Sequence, residues 1–161
     1  MTKLILGALC VLAAASPAGA QLAAPDIAGR WQGENYRAAS LAPDCGGGAC
    51  TLTLDIVRCG EGWCGIAVGH DNRCGGTALT LDAGEEGTGN TLFKGRLELA
   101  SGTEPYVVQA YLVPAEGDAP VTLDIIGDTG GEFRMFRRSF PFQTNLVRAG
   151  AATCKAEKPV S

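Results

Sequence analysis

The chain has 161 residues, 46% of them hydrophobic, with 17 acidic and 13 basic side chains and a formal charge of −4. That length suits one domain with a buried core, and the acidic balance excludes generic nucleic-acid binding, which needs a net basic face. The 23 glycines cluster at Gly46-Gly47-Gly48, Gly75-Gly76 and Gly130-Gly131, a pattern that suits many tight turns between short apolar runs.

The first element is a leader. Lys3 gives it a positive start, and Leu4 to Ala15 is an apolar run too short to span a bilayer. Ser16-Pro17 breaks the helix that run would form. Ala18-Gly19-Ala20 supplies the small residues of a cleavage site, so residues 1–20 read as a signal peptide and Gln21 as the mature N-terminus. Lipidation at Cys10 is disfavoured, because Leu9 is too bulky for the position before a lipidated cysteine. Loss of the leader removes Lys3 and leaves 141 residues, with 12 basic against 17 acidic side chains and a formal charge of −5. No later stretch is apolar for long enough to act as a transmembrane segment. The expected location is therefore the periplasm or the secreted fraction.

Cysteine usage points the same way. Cys45, Cys50, Cys59, Cys64, Cys74 and Cys154 remain after the leader, and an even number in a small exported chain reads as a disulfide framework. Structural zinc is the rival, but Cys45/Cys50 and Cys59/Cys64 sit in an oxidising compartment, whereas zinc needs reduced thiolates. Neither a metal nor another cofactor is expected.

After Gln21 no segment holds a helical apolar period for a dozen residues, whereas period two recurs. The expected strands are Arg30 to Arg37, Cys50 to Cys59, Trp63 to Val68, Thr77 to Leu81 and Leu92 to Leu99. Tyr106 to Val113, Val121 to Ile126, Phe133 to Arg138 and Phe142 to Arg148 complete the set. In the second strand Leu52, Leu54 and Ile56 alternate with Thr51, Thr53 and Asp55. In the fifth, Gly95 leaves a gap on the face of Phe93, Leu97 and Leu99. Sequential short strands and tight turns favour an antiparallel meander, and closing it removes the exposed edges. The predicted fold is all-β: a small antiparallel up-and-down barrel of about eight strands, stapled by disulfides, with a sandwich as second choice. Residues 21–148 form the single domain, and 149–161 a polar C-terminal tail that is loose beyond Cys154.

Six cysteines allow fifteen connectivities. Cys59 and Cys64 flank a turn and face each other across a hairpin, Cys45 and Cys50 make a local loop, and Cys74 and Cys154 are left as the third pair.

Some segments have a familiar order. Gly29-Arg30-Trp31 opens the domain, Cys59-Gly60-Glu61-Gly62-Trp63-Cys64-Gly65 forms the hairpin, and Asp71-Asn72-Arg73-Cys74-Gly75 follows. Phe93 to Leu97, Leu123 to Gly127 and a late strand ending at Arg148 come after. From Ile27 to Arg148 this order resembles the exported bacterial domain-of-unknown-function family 2147, the Cys-Gly-x-x-x-Cys-Gly hairpin being its most specific part. The chain departs from that pattern in its short loop before Cys74, in Asn145 to Arg148 where a Trp is usual, and in the extra Cys45, Cys50 and Cys154. The resemblance implies a lipocalin-like barrel and supplies no function.

Candidate chemistry is sparse. His70-Asp71 pairs the single histidine with a carboxylate, but no serine occupies a Gly-x-Ser-x-Gly turn and neighbours on a strand point to opposite faces. Asp82, Glu85, Glu86 and Asp128 lie in glycine-rich turns without the spacing of a calcium loop. Arg134, Arg137, Arg138 and Arg148 cluster late in the chain, and an inward arginine near a barrel mouth would clasp a carboxylate or phosphate. These four are the candidate ligand-binding residues; no catalytic residue is assigned. The leading expectation is a non-enzymatic envelope barrel that binds a small apolar or anionic ligand or serves as a structural module. A protein-binding module, such as a periplasmic protease inhibitor, is the alternative, and a hydrolytic enzyme ranks last.

Overall fold

The computed structural model describes residues 26–35, 50–99, 102, 104–129 and 141–156. The expected leader, Cys45 with its expected pairing to Cys50, and the strand expected at Phe133 to Arg138, including Arg134, Arg137 and Arg138, lie outside those residues. The described residues form strands β1 (Gly29–Asn35), β2 (Cys50–Cys59), β3 (Gly62–Val68), β4 (Cys74–Leu81), β5 (Glu85–Glu86), β6 (Thr91–Leu97), β7 (Tyr106–Val113), β8 (Thr122–Asp128) and β9 (Pro141–Gly150). They contain no helix long and apolar enough to cross a membrane.

Every strand pair is antiparallel. The order runs β4-β3-β2-β1-β9-β8-β7-β6-β5, and β4 also pairs with β6. Eight strands therefore close into an up-and-down barrel, with β5 as an extra strand beside β6. Closure satisfies backbone groups that an open sheet would leave at its two edges.

Alternation sorts the side chains. Trp31, Leu54, Phe93, Leu97, Leu123 and Ile125 have no accessible surface at all, and one contiguous core joins them to Trp63, Val108, Phe142 and Leu146. Zero exposure means that no water-sized space, internal or external, touches those six side chains. Among the described residues, side chains therefore fill the middle of the barrel, and each large side chain buried there contributes about 1.5–3 kcal/mol. Two arginines cover tryptophans of this core. Arg58 lies 3.9 Å from the Trp63 ring centroid and Arg148 lies 4.9 Å from that of Trp31. Trp31 also donates from Nε1 to the carbonyl of Ile27 at 2.9 Å.

Three local features differ from the sequence reading. The acidic loop after β4 contains β5, because Asp82 Oδ1 accepts from the amides of Gly84 (3.1 Å) and Lys94 (3.0 Å), and Lys94 pairs with Glu85. Next, β4 begins at Cys74 rather than Thr77, its register with β3 shifting at Gly65/Ile66 and Ile66/Val68. Finally, Gly95 leaves no gap. A Cβ there would lie 1.8 Å from the Thr80 carbonyl oxygen, so the missing side chain lets β4 and β6 meet where the barrel closes.

That close approach yields a sharp contrast. Gly95→Ala has to push the two closing strands apart and is expected to cost at least about 2 kcal/mol. A Cβ at the exposed Gly76 meets nothing within 4 Å, so Gly76→Ala should stay within about 0.5 kcal/mol of the parent. Urea unfolding midpoints of the two variants check both values.

Candidate functional site

With the barrel's middle filled, chemistry has to be sought on its wall. Arg30 and Gln32 face outward from β1, opposite Asp55 and Thr53 of β2. Their neighbour on the other side is the turn after β3. Gly69 donates its amide to the Arg73 carbonyl at 2.9 Å, and Asn72 donates its amide to Gly69 at 2.9 Å. Asn72 takes a left-handed backbone conformation at φ 59°, which its short polar side chain tolerates. Between strands and turn lies a groove of about 260 Å³, lined by Arg30, Gln32, Thr51, Thr53, Val68, Gly69, His70 and Asn72.

One end of the groove is fixed by a buried ion pair. Asp55 faces outward from β2, yet it has no accessible surface. Its Oδ1 accepts from Arg30 Nε at 2.7 Å. Its Oδ2 accepts from Arg30 Nη2 (3.0 Å), the Thr153 amide (2.7 Å), the Thr153 hydroxyl (3.2 Å) and the Cys154 amide (2.8 Å). Arg30 is occupied in turn: Nη1 donates to Asn72 Oδ1 at 2.9 Å and Nη2 to the Thr153 hydroxyl at 2.8 Å. Burial pushes the Asp55 carboxyl upward. The Arg30 hydrogen bonds, the Cys154 and Thr153 amides and the Arg30 charge outweigh it and bring the group to about 2, below the ordinary 3.8. The Asp55 hydrogen bond raises the Arg30 guanidinium in return.

The rest of the groove is unspent. The side chains of Gln32, Thr51, Thr53 and His70 make no hydrogen bond to the described residues. Asp71 is not aimed at His70; its carboxylate pairs with Arg73 and accepts the Arg73 amide at 3.2 Å. Among the described residues no carboxylate lines the groove, although acidic residues outnumber basic ones in the chain.

Of the residues singled out from sequence, His70 lines this groove. Arg134, Arg137 and Arg138 lie outside the described residues. Arg148 is exposed near the end of β9, its guanidinium over the Trp31 ring, with Nη2 donating to the Asp26 carbonyl at 3.1 Å. Cys59 is bonded to Cys64 across the β2–β3 hairpin and Cys74 to Cys154, the second bridge spanning a sequence separation of 80. Among the described residues no group of three His, Cys, Asp or Glu side chains is placed to hold a metal ion. Gln32, Thr51 and Thr53 were not singled out in the sequence, where they are ordinary polar positions of alternating strands. No family model, curated protein or solved structure matches the chain.

Asp55 makes the wall sensitive to acid. Its folded value lies below its unfolded one, so its contribution is complete above about pH 3.8 and is lost as the pH falls through about 2. The loss amounts to about 2 kcal/mol. Asp55→Asn removes that acid-sensitive part and leaves Arg30 without its counter-charge, at a cost of roughly 3 kcal/mol at neutral pH. Calorimetric melts of parent and variant between pH 2 and 7 should converge toward the acid end.

Proposed function

We propose that this protein is an exported, non-enzymatic binding module that holds a small, neutral, hydroxyl-rich molecule on the outer wall of its barrel. The observation that carries this reading is the set of unspent side chains, Gln32, Thr51, Thr53 and His70, around an arginine whose charge is already balanced by Asp55. An amide, two hydroxyls and an imidazole both donate and accept hydrogen bonds. They match a ligand that does both and carries no charge, such as a sugar unit. A free anion gains less there, because the Arg30 guanidinium already has donors directed at Asp55, Asn72 and Thr153. At about 260 Å³ the groove is smaller than a drug-sized pocket and suits a single ring-sized group. Val68 supplies an apolar contact for a sugar's C–H face.

The packed core supports the same choice, since an internal ligand would have to displace side chains such as Phe93, Leu123 and Ile125. His70 lacks an orienting carboxylate, as Asp71 is engaged by Arg73, which favours binding over catalysis at this site. Export follows from the leader, and kinship with the domain-of-unknown-function family 2147 from the hairpin motif; both belong to this proposal.

Amide and side-chain NMR titrations of the mature protein with N-acetylglucosamine, inorganic phosphate and dodecanoate test the reading. The sugar should shift Gln32, Thr51, Thr53 and His70, and Thr53→Val should weaken it about fivefold, the worth of one neutral hydrogen bond. Shifts confined to core residues with dodecanoate, or groove shifts with phosphate alone, would overturn it.

A further inference from the structure

The chain does not end its structured path at the last strand. Gly150 pairs with Arg30 of β1, after which residues 151–156 turn back across the outer wall. The Thr153 and Cys154 amides reach Asp55 on β2, and the Cys154 sulfur reaches Cys74 at the start of β4. Within four residues this strap passes from β1 over β2 and β3 to β4. Ile66 lies on the outer face of β3 as the register partner of Asp55, yet it is 2% exposed and stands apart from the interior core. The strap therefore covers a carboxylate that a bare strand face would leave wet, and it crosses the strand that carries Ile66 on its way to Cys74. It also borders the groove, since the Thr153 hydroxyl is bonded to Arg30.

We propose that the Cys74–Cys154 disulfide is a redox latch for this strap, and that its reduction frees residues 151–156 and opens the Arg30 end of the groove. The two bridges differ in what backs them. Cys59–Cys64 joins strands already paired from Leu54↔Ala67 to Cys59↔Gly62, so its loss leaves the hairpin closed. Cys74–Cys154 holds a segment that belongs to no strand and whose hydrogen bonds among the described residues go to Asp55 and Arg30. Ordering that backbone costs entropy, which the covalent tie offsets. Cys74 is exposed and Cys154 is covered, so a dithiol approaches from the Cys74 side. Its thiolate attacks one sulfur, and its second thiol resolves the mixed disulfide. The reductant leaves oxidised to its own disulfide, and its two electrons and two protons end on the Cys74 and Cys154 thiols.

The loosening of the strap is read without any ligand; only its effect on binding rests on the groove's proposed role. The oxidised protein is titrated with dithiothreitol, free thiols are alkylated and mapped, and amide hydrogen exchange is followed at each step. Cys74 and Cys154 should be alkylated before Cys59 and Cys64. Exchange at Thr153 and Cys154 should rise at least tenfold while Leu54 and Ile125 stay protected, and the Arg30 and Asn72 side-chain resonances should shift. Cys154→Ser should reproduce that state without reductant. Thr153 and Cys154 amides that stay protected after reduction would overturn the latch, as would exchange at Leu54 and Ile125 as fast as at Thr153. If the strap is freed but N-acetylglucosamine binds the groove equally in both states, control of binding is refuted. If the sugar binds in neither state while the strap still opens, the groove's proposed role fails and the latch stands.

Discussion

A carboxylate taken out of water on the outside of a barrel is the constraint on which this wall depends. Asp55 occupies an outward strand position, where a side chain is ordinarily solvated, and burying a charge there costs several kcal/mol before any partner is counted. The cost is offset because Arg30 stands directly opposite in register on β1 and the strap brings two amides and a hydroxyl to the same oxygen. No one of these groups holds the arrangement alone. Arg30 supplies the charge, Thr153 and Cys154 supply the donors, and Cys74 fixes the chain that carries them. The same arginine bonds Asn72, so the turn after β3 is set by the pair that sets the strap.

This places the adaptable chemistry outside and leaves the inside to stability. A small barrel has room within it either for side chains or for one ligand. Trp31, Trp63, Phe93 and Phe142 are large enough that the core of this one is filled, with Arg58 and Arg148 lying over two of its rings. A rigid, filled barrel makes a good platform for a wall site. Gln32 and Thr53 are held side by side by strand pairing, and little ordering is left for a ligand to impose.

The sequence was legible where one physical rule dominates. Strict alternation in Thr51 to Ile56 marks a strand with one buried face, and Gly60-Glu61-Gly62 between two cysteines marks a tight hairpin, so β2, β3 and the Cys59–Cys64 bridge follow directly. The closed barrel follows from the number and order of such strands. What depends on register between distant residues was hidden. Asp55 alternates like the solvated Thr51 and Thr53, and nothing local says that residues almost a hundred positions later will cover it. β5 was invisible because two glutamates in a glycine-rich loop carry no strand pattern, and their pairing comes from Asp82 and Lys94. Arg148 was noted for its charge, whereas its position at the inward register of β9 puts it on Trp31. The one usable hint to the strap was Cys154 itself, a bridging cysteine placed beyond the last strand.

The strap and its bridge belong to the folded barrel rather than to a peripheral tail. Thermal melts of the protein carrying Cys74→Ser with Cys154→Ser, set against Cys59→Ser with Cys64→Ser, separate the two cases. A cross-link closing a long loop constrains the unfolded chain by roughly 4 kcal/mol, against less for a short one. The long-range pair is therefore expected to lower Tm by about 10 °C while the transition stays cooperative, and the hairpin pair by clearly less. An equal or smaller loss for the long-range pair would contradict the account and show that the barrel's apolar core carries the stability without the strap.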